Sequence, residues 1–535
     1  MPPHHARATT LGELPAIAAE RWDHDALVLG AERLSFPQLE QGSRRRAAEL
    51  RGLGVGRGDR VGILMSNNVD YLLTIFGAAK LGAIPVPINH RFSATELAHV
   101  ISDSELEVLL LSSAGAKDPT GAVEGARDLL AKAPSPAGRS RLRHVVDLGA
   151  AADREGTLGR AGLAAAGEPV AEAEVEALTA AVAIGDPAMI IYTSGTTSRP
   201  KGCVLNGEGL TRTAYTVAGE RFGFSAADRC WDPLPFCHLS SLVILNACLT
   251  VGATFVSMER FEAGPALAQL EGERCTFAYP CFDTVTAALQ EHPDFDAADL
   301  SALRIVVTIG VSERLRAWQA RWPQGAQLGA YGATEYSGVL CYNRPTDSEE
   351  QRFESCGPPI PGMEIRVVDP ASGEPVADGS RGELHCRGYG VFEGYFRDEE
   401  QTAAVMTDDG WIRSGDLVAK DAAGYVTYLG RLKDMIKVGG ENVAAAEIED
   451  VLVTHPELRE AQVVGLPDEK YVEVPAAFVE TRPGATVSAE ELVAYCRERL
   501  ASFKVPRRVF FVSEWPMSET KIMKQALREQ AARQL

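Results

Sequence analysis

The spacing of apolar positions changes repeatedly along the chain. Phe36 to Leu53 carries apolar side chains at helical spacing and runs into the glycine-rich Gly52-Leu53-Gly54-Val55-Gly56. Arg60 to Met65 is a short apolar run of strand length. Tyr71 to Leu81 returns to helical spacing, and Ala83 to Val86 and Leu106 to Leu111 are strand-like again. Strands alternating with helices predict a parallel sheet covered by helices, an α/β arrangement. Residues 114–185 are rich in Ala, Gly, Glu and Arg with weak apolar periodicity, which predicts surface helices and loops. Beyond them Ala188 to Tyr192 predicts a buried strand, Leu242 to Leu249 a helix and Leu303 to Ile309 a β-branched strand. Near the C-terminus, Ala445 to Leu452 and Glu490 to Leu500 predict helices, and Ala461 to Leu466 and Ala476 to Glu480 predict strands.

One stretch breaks the alternation with chemistry. Tyr192 to Gly202 reads Tyr-Thr-Ser-Gly-Thr-Thr-Ser-Arg-Pro-Lys-Gly. Thr193, Ser194, Thr196, Thr197 and Ser198 supply hydroxyls, and Gly195 and Gly202 let the backbone turn and present N–H groups. Lys201 adds a positive charge. Such a loop cannot pack as a core, but it can wrap an anion, and a phosphate chain is the fitting ligand. The common G-x-x-x-x-G-K-[ST] phosphate loop occurs nowhere in the chain.

Composition narrows the class. The chain has 535 residues, 45% apolar and 24% charged, so an ordinary globular protein of two or more domains is expected. No apolar run reaches the roughly 18 residues that cross a bilayer, and the N-terminus lacks the apolar segment of a secretory signal. The ten cysteines are scattered without a C-x-x-C pair, which points to reduced thiols and a cytoplasmic location. The formal charge of −20 argues against a broad nucleic-acid surface. A polyanionic ligand must therefore meet locally placed Lys and Arg.

The Tyr192–Gly202 string closely resembles the signature loop of the adenylate-forming superfamily: acyl-CoA synthetases, peptide-synthetase adenylation domains and luciferases. Four further motifs follow in that family's order. They are Tyr331-Gly332-Ala333-Thr334-Glu335, Ser414-Gly415-Asp416, Gly430-Arg431-Leu432-Lys433, and a lysine near the C-terminus in Thr520-Lys521-Ile522. The resemblance runs from about residue 35 to about residue 527. Three departures are visible. Ser198 stands where many members have Gly, Ile309-Gly310-Val311-Ser312 replaces Gly-Gly-Ala-Pro, and the loop before Lys521 is one residue short.

The resemblance implies an α/β fold. A large N-terminal domain, residues 1–430, would combine α/β sheets with a distorted β-barrel part. A hinge at 431–433, pivoting on Lys433, would join it to a small mobile α+β lid at 434–535. It also implies ATP, Mg²⁺ and coenzyme A as reaction partners of a carboxylic acid. Thr193, Ser194, Gly195, Thr196, Thr197 and Lys201 would hold phosphates. Tyr331, Gly332 and Gly310 would border adenine, Thr334 would meet a phosphate, and Glu335 would ligate Mg²⁺, which takes only one or two carboxylates when phosphates and waters complete its shell. Asp416 would accept from the ribose hydroxyls and Arg431 would contact ribose and phosphate. His238, Phe282, Gly310 and Ala333 would wall the acyl pocket. Lys437, Gly439 and Gly440 would face coenzyme A, and Lys521, with Lys524 as its competitor, would enter the active site.

The expected activity is thus an acid–CoA ligase that forms an acyl-adenylate and then a thioester. The small residues Ser240, Ser241, Gly310, Gly332 and Gly338 point to a roomy pocket and a bulky apolar acid, fatty, alicyclic or aromatic. Two other readings fit the same residues. One is an acid-adenylating enzyme that loads a separate carrier protein; the other is a nucleotide-binding pseudoenzyme or regulator. The sequence leaves the oligomeric state open, with a homodimer the commonest arrangement.

Overall fold

A computed structural model describes residues 9–115, 118–132, 142–193, 200–310, 312–438, 441–468, 470–518 and 521–534. Ser194, Gly195, Thr196 and Thr197 of the phosphate loop and the Gly439-Gly440 pair lie outside them.

The predicted parallel strands form a four-stranded sheet in the order Ile84–Pro87, Arg60–Leu64, Val108–Leu111, His144–Asp147. Its helices Phe36–Gly52 and Val69–Lys80 begin at side-chain caps, Ser35 and Asn68, which satisfy the first free backbone amides. The fourth strand, His144–Asp147, is a correction to the reading of 114–185 as helices and loops only. A second sheet of seven strands runs Ala326–Leu328, Ile305–Ile309, Phe277–Phe282, Arg229–Trp231, Thr254–Ser257, Asp25–Leu29, Glu32–Ser35, parallel except for its last pair. From Arg229–Trp231 the chain first adds a strand on one side and then crosses to the other, so the strand order reverses there. In open α/β sheets ligands bind at such a reversal, beyond the carboxyl ends of the strands.

Two antiparallel units complete this part. Pro187–Thr193 and Lys201–Asn206 form a hairpin in which Thr193 stands opposite Lys201, and Gly394–Tyr395 adds to its outer strand. Met363–Val368, Arg381–Gly388, Ile412–Lys420 and Val426–Arg431 form a four-stranded antiparallel sheet. One continuous apolar core runs through these units, from Leu11 to Val426.

The remaining strands form a sheet in the order Glu441–Ala444, Met435–Val438, Val472–Thr481, Leu458–Asp468, with Arg508–Phe511 added beside Val472–Thr481. It has its own apolar clusters, one around Ile448 and Val463 and one around Phe478 and Leu527. Ion pairs tie it to the preceding part. Arg314 Nη1 stands 2.6 Å from Asp283 and 3.3 Å from Glu460, and Arg381 pairs with Glu447 at 3.1 Å. Nine of the ten cysteines are buried and Cys356 is half-buried. Among the described residues no helix is long and apolar enough to cross a membrane.

Candidate functional site

Asp416 is the centre of one cluster. It lies in a bulge of the strand Ile412–Lys420. The neighbouring strand pairs Glu383 with Leu417 and His385 with Arg413, so Ser414, Gly415 and Asp416 are spare residues opposite Leu384 alone. Bulges of this kind re-aim side chains beside active sites. Gly415 takes the left-handed conformation the bulge needs, with φ at +69°. The bulge's own ladder bonds are replaced by side chains. Ser414 Oγ donates to Leu384 O at 2.6 Å, and the Gly415 N–H donates to Glu383 Oε1 at 3.0 Å.

The bulge places Asp416 opposite Arg431 in the ladder, and Arg431 Nε stands 2.9 Å from Asp416 Oδ1. The Tyr331 hydroxyl donates to Asp416 Oδ2, and the Tyr336 hydroxyl donates to Tyr331 Oη at 2.9 Å. Burial, with the Asp416 charge behind it, pushes the Tyr331 phenol well up, so Tyr331 stays a donor. Tyr428 faces Tyr331 with ring centroids 6.0 Å apart and is 41% exposed, an open aromatic face beside the carboxylate. Tyr336 and Tyr428 are not among the residues the motifs single out. Tyr428 is placed by strand register, which carries no local motif, and Tyr336 by the 3₁₀ turn Thr334–Tyr336.

A second cluster sits at the base of the phosphate loop. Tyr395 joins its two chemical groups: its hydroxyl donates to Glu335 Oε1 at 2.9 Å, and its ring lies 5.1 Å from the Lys201 ammonium. Burial and the adjacent Glu335 charge raise the Tyr395 phenol, which keeps its proton for that bond. Lys201 Nζ also bonds Gln401. Thr193 is half-buried at the opposite end of the loop, its hydroxyl 4.0 Å from Cys203 Sγ. A cavity of about 280 Å³ opens here, lined by His99, Asp103, Lys201, Tyr395, Arg397 and Gln401. Thr334 and Glu335 start a short 3₁₀ turn, both half-buried. Among the described residues no three His, Cys, Asp or Glu side chains converge as a closed metal cage. A single carboxylate beside a phosphate-binding loop is the donor set that suits Mg²⁺, which keeps waters and substrate phosphates in its shell.

The acyl-pocket candidates lie at the strand-order reversal. Asp232 follows the strand Arg229–Trp231 and opens a turn that ends at His238, the half-buried N-cap of the helix Leu239–Val251. Asp232 Oδ1 accepts from the Leu234 N–H at 2.8 Å, and burial pushes its carboxyl up to about 8. Asn67 reaches across from the other sheet and bonds both Leu234 O and the Phe236 N–H at 2.8 Å. Phe282 ends its strand opposite Ile309, next to Gly310. Ala333 is half-buried just ahead of the 3₁₀ turn.

Close packing is one reason for Gly310, Gly332 and Gly338. A Cβ on Gly332 would stand 2.2 Å from Gly338 O, and one on Gly338 would meet Val243 and Leu239 at 3.0–3.2 Å. One on Gly310 would meet the Trp318 ring at 3.3 Å. A side chain in the Cβ direction would therefore meet protein at all three positions, although Gly310 and Gly332 are themselves exposed. Gly332→Ala is accordingly expected to cost about 1–3 kcal/mol of stability by overpacking, read as a lowered thermal-unfolding midpoint.

In the C-terminal sheet, Lys433 is exposed in the 3₁₀ turn Leu432–Asp434. Lys437 is exposed on Met435–Val438. Lys521 begins the short strand Lys521–Ile522, opposite Ser518. Lys524 Nζ is engaged with Glu449 at 2.7 Å.

Comparison with known proteins agrees in length and in shape. A family model described as AMP-binding enzyme matches residues 14–396, and one described as AMP-binding enzyme C-terminal domain matches residues 447–521. A putative acyl-CoA synthetase, YngI of Bacillus subtilis, is 34% identical over 533 residues, 97% of each chain. A feruloyl-CoA synthase of Amycolatopsis is 34% identical over 523 residues, 97% of this chain and 98% of its own. The crystal structure of the anthranilate CoA ligase AuaEII in complex with anthranoyl-AMP superposes with a TM-score of 0.86 at 26% identity, covering all of both chains. Matched by that model over residues 14–396, the chain belongs to the AMP-binding enzyme family.

Proposed function

We propose that the protein is an ATP-dependent carboxylic acid–CoA ligase that works through an acyl-adenylate. The observation that carries this reading is Asp416, held between Tyr331 and Arg431. A carboxylate set among hydroxyl donors and a guanidinium, beside the open ring of Tyr428, suits a ribose with its base stacked above and its phosphates toward Arg431. Similar proteins named as CoA ligases support the acceptor thiol.

In the first step a carboxylate oxygen attacks the α-phosphorus of ATP and pyrophosphate leaves. Lys201 and the phosphate loop would hold the β- and γ-phosphates. Glu335, fixed by the Tyr395 hydroxyl, would hold Mg²⁺, whose charge would offset that of the pyrophosphate. In the second step the CoA thiol attacks the acyl carbonyl and AMP leaves, so no protein nucleophile is required. Residues 1–430 would act as the nucleotide- and acyl-binding domain and 434–535 as a lid that turns about Lys433. That turn would exchange Lys521 for Lys437 and the Gly439-Gly440 loop. The acid would be bulky and apolar, walled by His238, Phe282 and Ala333, and the reaction would take place in the cytoplasm.

AMP release from ATP and Mg²⁺ with a panel of acids, with and without CoA, tests this reading. An acyl-CoA mass with CoA-dependent AMP is the expected result. Pyrophosphate exchange without an acyl-CoA product would transfer the reading to a carrier-protein acceptor, and no exchange with any acid of the panel would count against adenylation.

A further inference from the structure

The bulge that presents Asp416 depends on a group outside it. With Ser414, Gly415 and Asp416 all opposite Leu384, the strand cannot supply a carbonyl for the Gly415 N–H. An amide without a partner in a half-buried bulge would be costly. Glu383 Oε1 takes that place at 3.0 Å. The carboxylate is itself held: its Oε2 is 3.3 Å from Nε2 of His385, which is only 4% exposed and sits two residues along the same strand. Burial opposes the charge on Glu383, but the bonds from His385 and Gly415 outweigh it and hold the carboxyl below its usual range. Arg413, on the facing strand, adds a favourable charge.

The geometry points to Glu383 as the positioning residue of the nucleotide site: its side chain acts as a surrogate ladder carbonyl that sets the depth of the bulge and hence the aim of Asp416. Gly415 is bonded directly before Asp416, so a shift of its N–H moves the Asp416 Cα with it. Arg431 Nη1 also bonds Ser414 O at 3.2 Å, so the far side of the bulge is fixed by a group that pairs with Asp416 itself. Two side chains therefore hold the bulge without passing through the Asp416 pair: Ser414 Oγ, bonded to Leu384 O at 2.6 Å and accepting from the Asp416 N–H at 3.1 Å, and Glu383, which takes the Gly415 N–H. The inference rests on the reading that Asp416 meets the ribose hydroxyls.

The test compares ATP with 2′,3′-dideoxy-ATP in pyrophosphate exchange by the full-length enzyme. Wild type is expected to show a much higher KM for the dideoxy nucleotide, because Asp416 loses both partners. Glu383→Ala is expected to raise the KM for ATP about tenfold, the scale of one charge-assisted hydrogen bond. Its KM for the dideoxy nucleotide and for the acid should stay unchanged, so that the discrimination between nucleotides shrinks by the same factor. Glu383→Gln keeps an acceptor for Gly415 and should keep the discrimination. Glu383→Asp, one methylene shorter, supplies the same reading should the alanine variant not fold. Full discrimination in both shortened variants, or a rise in the acid KM parallel to that for ATP, would overturn the role of Glu383. Equal KM values for the two nucleotides in wild type would instead overturn the ribose reading of Asp416.

Discussion

Lys521→Ala is expected to slow acyl-adenylate formation by about 10²–10³-fold, the scale of removing one preorganised charge-stabilising group. Conversion of supplied acyl-AMP to the thioester should survive. The reason lies in the charges of the reactants. A carboxylate must approach an anionic phosphate, and at about 4 Å in an effective dielectric near 20 each pair of unit charges repels by about 4 kcal/mol. An ammonium between them offsets that repulsion and holds the reactants in line. Of the two lysines the sequence offers, Lys524 is already paired: its ammonium is 2.7 Å from Glu449, whose Oε1 also accepts from the Val463 N–H. Lys521 opens the second strand of a short hairpin and is the lysine that follows the family's motif order. Lys524→Ala is the control and should adenylate normally. Measured pyrophosphate exchange and single-step thioester formation decide the matter. Equal loss of both half-reactions in Lys521→Ala, or loss of adenylation in the Lys524 control, would reassign the residue.

Asp416→Ala is expected to weaken ATP by about 10²-fold, since two hydrogen bonds to an ionised acceptor are lost at about 1.5–3 kcal/mol each, less what water returns. Arg431 loses its ion-pair partner at the same time and keeps its bond to Ser414 O. Titration calorimetry of AMP, alongside the KM for ATP and for the acid, reads the effect. A change confined to the acid KM would remove Asp416 from the nucleotide site.

Sequence and structure agree best where a feature is local. The helix read over Phe36 to Leu53 is Phe36–Gly52, and the strand read over Arg60 to Met65 is Arg60–Leu64. A helix face and a buried parallel strand each write their own period into the chain. His144–Asp147 is hidden because it is only four residues long, forms the edge of its sheet and has a polar residue at each end. Arg229–Trp231 is hidden because three residues are too few to show a period. Asp416, Arg431 and Tyr331 are legible through their motifs, and the structure joins them in one cluster. Glu383 and Tyr395 are not, because each acts on a residue 32 or 60 positions away through tertiary contacts that no local pattern encodes. Gly332 is legible as a site of close approach, and the Gly338 backbone is one group that approaches it.

The burial of the cysteines gives the molecule a practical property. Cys356, the only half-buried thiol of the ten, has its pKa pushed up to about 11 by burial, so it holds almost no thiolate at neutral pH. The native thiols therefore form a silent background for maleimide chemistry. A single cysteine placed on an exposed position of the C-terminal sheet, such as Arg508, would be labelled selectively without deleting any native cysteine. A fluorophore there would test the proposed rotation of that sheet in real time as ATP, acid and CoA are added in turn.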